Sequence, residues 1–153
     1  MGRGDGPLLG TWKLRSFTQE DAATGEKFSS LGPRPGGYLS SSPDGRMMVI
    51  LVGDNRIAPK DVVPTDREMI GFYKSMLAYA GTYAIDGNRV VHHIDASWNQ
   101  TWTGTQQIRF FKLDGGTLTL TSASGRRGFD GRIGASTVVW ERVESSPQEP
   151  KGS

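Results

Sequence analysis

Three tight-turn signatures, Pro43-Asp44-Gly45-Arg46, Asp86-Gly87-Asn88 and Asp114-Gly115-Gly116, each stand between two short runs rich in β-branched and aromatic residues. Asp-Gly pairs suit the hairpin turns that match strand twist, because glycine takes positive φ without a Cβ penalty. A chain punctuated in this way builds antiparallel hairpins. Of its 153 residues, 21 are glycine, roughly double the usual share. They follow no period and form no single block, which excludes collagen and a low-complexity linker.

Between the turns the pattern predicts strands at Gly10–Phe17, Tyr38–Ser42, Met47–Val52, Gly81–Ile85, Arg89–Trp98, Thr103–Leu113, Thr117–Ala123 and Ser136–Val143. Met47–Val52 is wholly apolar, so it is expected to be covered on both faces. One segment has a different period. Thr65 with Glu68 forms a capping-box signature, and Met69, Phe72, Tyr73, Met76, Leu77 and Ala80 follow helical spacing. A helix from Thr65 to Tyr79 is therefore expected between the third and fourth strands. It either caps one end as an adaptable methionine-bearing lid or lies flat on the wall. Eight antiparallel strands leave a sandwich or a closed barrel, and closure removes exposed edges. The expected fold is all-β, an eight-stranded antiparallel up-and-down β-barrel with one α-helix. Its interior is just wide enough for one small ligand.

Composition excludes several functions. There is no cysteine, hence no disulfide, thiol nucleophile or thiolate metal site. Lys and Arg number 18 against 16 Asp and Glu, and the one basic cluster, Arg126, Arg127 and Arg132, is interrupted by Asp130, which argues against a nucleic-acid partner. No run reaches membrane-spanning length, and residues 1–7 contain no apolar core of a signal peptide. A cytoplasmic monomer or homodimer without membrane partner is expected. The Arg3-Gly4-Asp5 triplet is read as coincidence. Residues 1–7 are expected to be flexible, 8–143 to form the domain, and 144–153 to be a disordered tail.

Gly10-Thr11-Trp12 on the first strand resembles the Gly-x-Trp signature of lipocalins, and Trp140-Glu141-Arg142 on the last strand supplies the arginine that packs over that tryptophan. Further stretches resemble the small bacterial and fungal lipocalin-like domain proteins. They include Leu9-Gly10-Thr11-Trp12-Lys13-Leu14, Tyr38-Leu39, Met76 to Tyr83, Val91-His92-His93, Ser97-Trp98-Asn99 and Arg109 to Leu113, over residues 8 to 143. The resemblance implies a lipocalin-like barrel with an Arg–Trp plug at its closed end. It also implies a small hydrophobic molecule in the central cavity. The alternative it implies is a cofactor-independent cyclase or isomerase of the pericyclase type, serving a secondary-metabolite (polyketide) pathway by preorganising its substrate. The Gly-Arg-Arg-Gly run within Ser124–Ala135 departs from the family pattern.

His92 and His93 must point to opposite faces of one strand. His93 shares a face with Val91, Asp95 and Ser97, and His92 lies with Val90, Ile94, Ala96 and Trp98. If the polar stripe faces the lumen, His93 is oriented by Asp95 for proton transfer. If it faces water, Val90, Ile94 and Trp98 fill the core. His93 and Tyr83 are the candidate catalytic residues should the protein be an enzyme. Tyr38, Met48, Tyr83, His93, Trp98 and Phe110 are the candidate ligand wall, suited to a flat or polyene ligand. Arg109 or His93 is available to fix a ligand carbonyl. Two adjacent strand histidines cannot converge on one ion, and no carboxylate triad joins them, so no metal is expected. No Gly-x-Ser-x-Gly elbow or phosphate loop is present, and no cofactor is expected.

Overall fold

Each turn signature closes a hairpin in the computed structural model, which describes residues 6–123, 125–126 and 133–144. The strands are β1 Gly10–Asp21, β2 Lys27–Phe28, β3 Gly36–Ser41, β4 Arg46–Val52, β5 Met76–Asp86, β6 Arg89–Ser97, β7 Gln106–Asp114, β8 Thr117–Ser122, β9 Gly125–Arg126 and β10 Ile133–Arg142, and the helix α1 is Asp66–Lys74. Eight of these strands form a ring, β1-β3-β4-β5-β6-β7-β8-β10, and β10 returns to pair with β1. Every pairing is antiparallel. The two-residue strands β2 and β9 extend the edges of β1 and β10. Closure leaves the ring without a free edge, the condition that a glycine-punctuated β chain has to meet.

Three expectations change. The helix follows the fourth strand in chain order, because Lys27–Phe28 forms a short ladder with Gln19 and Glu20. It also ends at Lys74, with Ser75 as C-cap, so Met76, Leu77 and Ala80 belong to β5. Pairing decides this: Met76 through Thr82 bond to Val52 through Arg46. Finally, β4 is covered on one face only. Met47, Val49 and Leu51 are buried, while Met48 is 67% and Ile50 42% exposed. The capping box at Thr65 and Glu68 is formed as expected, with Thr65 N donating to Glu68 Oε1 at 2.8 Å and Glu68 N to Thr65 Oγ1 at 3.2 Å. The expected flexible residues 1–5, most of the Ser124–Ala135 loop and the tail 145–153 lie outside the described residues. Pro7 is held, since its carbonyl accepts from Arg142 Nη2 at 3.0 Å.

The three tight hairpins and the chain's first strand gather at one end of the barrel, which is solid. Trp12 is fully buried there, and its Nε1 donates to Leu8 O at 3.1 Å. The Arg142 guanidinium lies 4.1 Å from the indole centroid and donates through Nη1 to Leu9 O at 2.7 Å. Leu8, Leu14, Met47, Tyr83, Val90 and Leu118 pack around this plug. A cation over an indole, locked to two carbonyls, fixes the register of the first and last strands.

Where β5 meets β6 the register shifts between Ala80 and Gly81. A Cβ on Gly81 would collide with the His93 backbone carbonyl, so only glycine lets the strands approach at this bulge. Gly81→Ala is expected to lose about 1–3 kcal/mol, because backbone on both sides must move. Urea unfolding monitored by tryptophan fluorescence checks it; an unchanged midpoint would show that the bulge relaxes freely.

Candidate functional site

The opposite end of the barrel is hollow. A cavity of about 150 Å³ is walled by the inward faces of β1, β3, β4, β5, β6, β7, β8 and β10. Its apolar wall includes Phe17, Leu51, Leu77, Leu120, Val138 and Trp140. Its polar wall runs from β5 to β10 as Tyr79, His92, Gln107, Arg109, Ser122 and Ser136. Strand register makes this polar row continuous. His92 stands opposite Gln107, Arg109 stands opposite Ser122, and Ser122 Oγ lies 3.1 Å from Ser136 Oγ.

Two of these groups form a pair. Tyr79 Oη and His92 Nδ1 share a 2.7 Å hydrogen bond, and both residues are buried. Burial pushes the Tyr79 phenol above its ordinary pKa, partly offset by the Arg109 charge. Burial first, then Arg109, then His93, lower the His92 imidazole to about 3. Both groups are therefore neutral near pH 7, since desolvation disfavours their charged forms. Arg109 is half-buried. Its Nη1 donates to Ile108 O at 3.0 Å and its Nη2 to Gln107 Oε1 at 3.3 Å. No aspartate or glutamate among the described residues lines the cavity. Among the described residues, no three potential metal-ligating side chains come together.

The residues expected to form the site are dispersed. His93 is on the outer face of β6, exposed, with Nδ1 3.3 Å from Gln106 Nε2. Asp95, expected to orient it, instead accepts from Arg46 Nη2 at 2.8 Å on the outer surface. His93 and Asp95 face water and Val90, His92 and Ile94 face in, but past the register shift Ala96 and Trp98 lie on the outer side rather than in the core. Tyr83 points inward but belongs to the solid end and does not line the cavity, with Oη 3.5 Å from Ser42 O. Phe110 is on the outer face of β7. Tyr38, Met48 and Trp98 do come together, with Ile50, Ala78, Ala80 and Ala96, but along a groove on the outside of β3 to β6. The alanines there leave space between the larger side chains. Trp98 is one ring away from the cavity: it stands edge-on to Trp102 with centroids 5.3 Å apart, and Trp102 lines the cavity.

No residue of α1 lines the cavity, and none is buried. The helix is fastened at the hollow end by Trp98 Nε1, which donates to Tyr73 O at 3.2 Å, and by Arg56 Nη1, which donates to Phe72 O at 3.0 Å. It is a strap beside the mouth rather than a methionine lid.

With the closed ring and its hollow end in place, the profile of lipocalin-like domains matches residues 9–143. The chain belongs to this family. Among solved structures it is similar to a lipocalin-like protein from Bacteroides uniformis, with 13% identity and a TM-score of 0.47 over 90% of this chain and 100% of that one. It is also similar to an uncharacterized protein from Bacteroides eggerthii, with 11% identity and a TM-score of 0.43 over the same shares. No curated protein matches the sequence. No described helix of this lipocalin-like barrel is long and apolar enough to cross a membrane. A barrel fold does not by itself specify a ligand, so any binding chemistry rests on the inward side chains.

Proposed function

We propose that this lipocalin-like barrel binds one small hydrophobic molecule in its cavity. The observation that carries this reading is the hollow itself, with a mostly apolar wall and one polar row. Convergent polar groups in an otherwise apolar pocket are the usual form of a small-molecule site. The volume sets the scale. An apolar cavity of about 150 Å³ takes up one benzene, whereas drug-sized sites run from roughly 300 to 1,000 Å³. The ligand portion inside the barrel is about one ring in size.

Toluene is a direct probe. Trp102 and Trp140 both line the cavity, so titration with toluene is expected to change intrinsic fluorescence saturably. Val138→Phe, which places a ring in the same space, is expected to abolish the change while the far-ultraviolet circular dichroism stays that of the wild type. A wild-type protein with no saturable response would overturn the reading.

A second reading, a cofactor-independent cyclase or isomerase, has one observation in its favour. The Tyr79–His92 pair beside Arg109 is a set of donors suited to polarising a carbonyl while the walls hold a reactive conformer. Binding is the better supported of the two, because a polyene folding through a cyclic transition state needs more room than a single ring.

A further inference from the structure

Among the described residues, the polar groups lining the cavity include one guanidinium and no carboxylate. Arg109 carries five N–H bonds, and its hydrogen bonds to Ile108 O and Gln107 Oε1 occupy only part of that fork. Among the described residues it has no carboxylate partner; the ion pairs there are Arg15–Glu141, Arg46–Asp95 and Arg89–Asp86, all on the surface. The Tyr79–His92 pair adds a donor whichever way its proton lies. If the phenol donates to Nδ1, the imidazole proton is on Nε2 and remains available. If Nδ1–H donates to the phenol oxygen, the phenol O–H remains available. Trp140 adds another, since its buried Nε1 has no hydrogen-bond partner. On the acceptor side, the described residues of the cavity wall offer the oxygens of Gln107, Ser122 and Ser136 and no acid.

A guanidinium held partly out of water, with no carboxylate partner among the described residues, is costly to the protein. Its planar fork fits a carboxylate through two parallel bonds, which a lone hydroxyl or ketone cannot match. Resting on the reading that the cavity is a ligand site, we infer that its occupant is a compact carboxylate of about one ring, with its acid group on Arg109. The Tyr79–His92 pair supplies the further donor beside it, and Leu51, Leu77, Leu120 and Val138 hold the ring. Arg109 then sets specificity, selecting the anion over a neutral molecule of the same shape.

Benzoate and toluene separate charge from shape. The wild type is expected to bind benzoate roughly ten- to hundredfold more tightly than toluene, the range of a charge-assisted hydrogen-bonded pair. Arg109→Gln is expected to bring the benzoate and toluene affinities together, and Arg109→Lys to separate them again in part. Benzoate binding no tighter than toluene, or surviving intact in Arg109→Gln, would overturn the inference and leave the cavity reading standing on the toluene signal. Binding of neither probe would overturn both. Should Arg109→Gln fail to fold by circular dichroism, the wild-type ratio of the two affinities decides alone.

Discussion

Trp12→Ala is expected to lose about 3–5 kcal/mol, the cost of deleting a large buried aromatic side chain whose surroundings cannot collapse. The site is poor at collapsing because the indole is held on three sides. Its Nε1 is bonded to Leu8 O, Arg142 covers one face, and Leu14 and Trp140 stand opposite one another on adjoining strands. Removing the ring also strips Arg142 of its cation–π partner. Against a total stability of about 5–15 kcal/mol, such a loss unfolds a large part of the population on mild heating. The expected drop in Tm is roughly 6–20 °C for a domain of this size. Arg142→Lys should cost less, because the charge is retained while the fork to Leu9 O and Pro7 O is lost. Differential scanning calorimetry of both variants tests the plug. A Trp12→Ala loss below about 1 kcal/mol would mean that the solid end repacks without the indole.

The barrel was legible because its evidence is local. Asp86-Gly87 and Asp114-Gly115 name their own turns, and the Gly-x-Trp and Trp-Glu-Arg motifs mark the two strands that close the ring. The helix boundary was not legible for the opposite reason. Leu77 and Tyr79 satisfy a strand period with Ala78 between them, yet Met76, Leu77 and Ala80 also continue the stripe of Met69, Phe72 and Tyr73. Only the ladder from β5 to β4 separates the two readings, and that ladder joins residues far apart in sequence. Likewise an apolar run such as Met47–Val52 reads as doubly covered. In a barrel its outer residues are left facing the surface, where Met48 and Ile50 form part of the β3 to β6 groove.

The site failed to show itself for a different reason: β7 inverts the ordinary inside–outside rule, and β6 hides its polar group within an apolar stripe. On β7 the inward residues are Gln107, Arg109, Phe111 and Leu113, while Ile108 and Phe110 are each 41% exposed. Arg109, expected among the groups that could fix a ligand carbonyl, does line the cavity, but the Phe110 expected beside it lies outside. On β6 the buried histidine travels with Val90 and Ile94, so a search for a polar stripe selects His93 instead. The usable signal was a histidine within an apolar stripe, since a core that admits His92 must give it a partner. Tyr79, the partner, lies on the neighbouring strand in the segment read as helix.

Acidification should expose the cost of that buried imidazole. The His92 pKa falls from 6.5 to about 3 on folding, through burial first and the Arg109 and His93 charges next. Below 6.5 the unfolded chain takes up a proton that the folded protein refuses, so protonation stabilises the unfolded state. The contribution of neutral His92 is whole above 6.5, is lost as the pH falls through the window, and levels off near 3. The slope is about 1.4 kcal/mol per pH unit, on the order of 2 kcal/mol between pH 7 and pH 5. His92→Gln keeps a polar group within reach of Tyr79 and removes the titration. Urea unfolding of both proteins at pH 7, 6 and 5 is expected to show the wild type losing about 2 kcal/mol more than the variant across that range. Parallel pH profiles would place His92 in contact with water, and the hollow end of the barrel would then be wet rather than apolar.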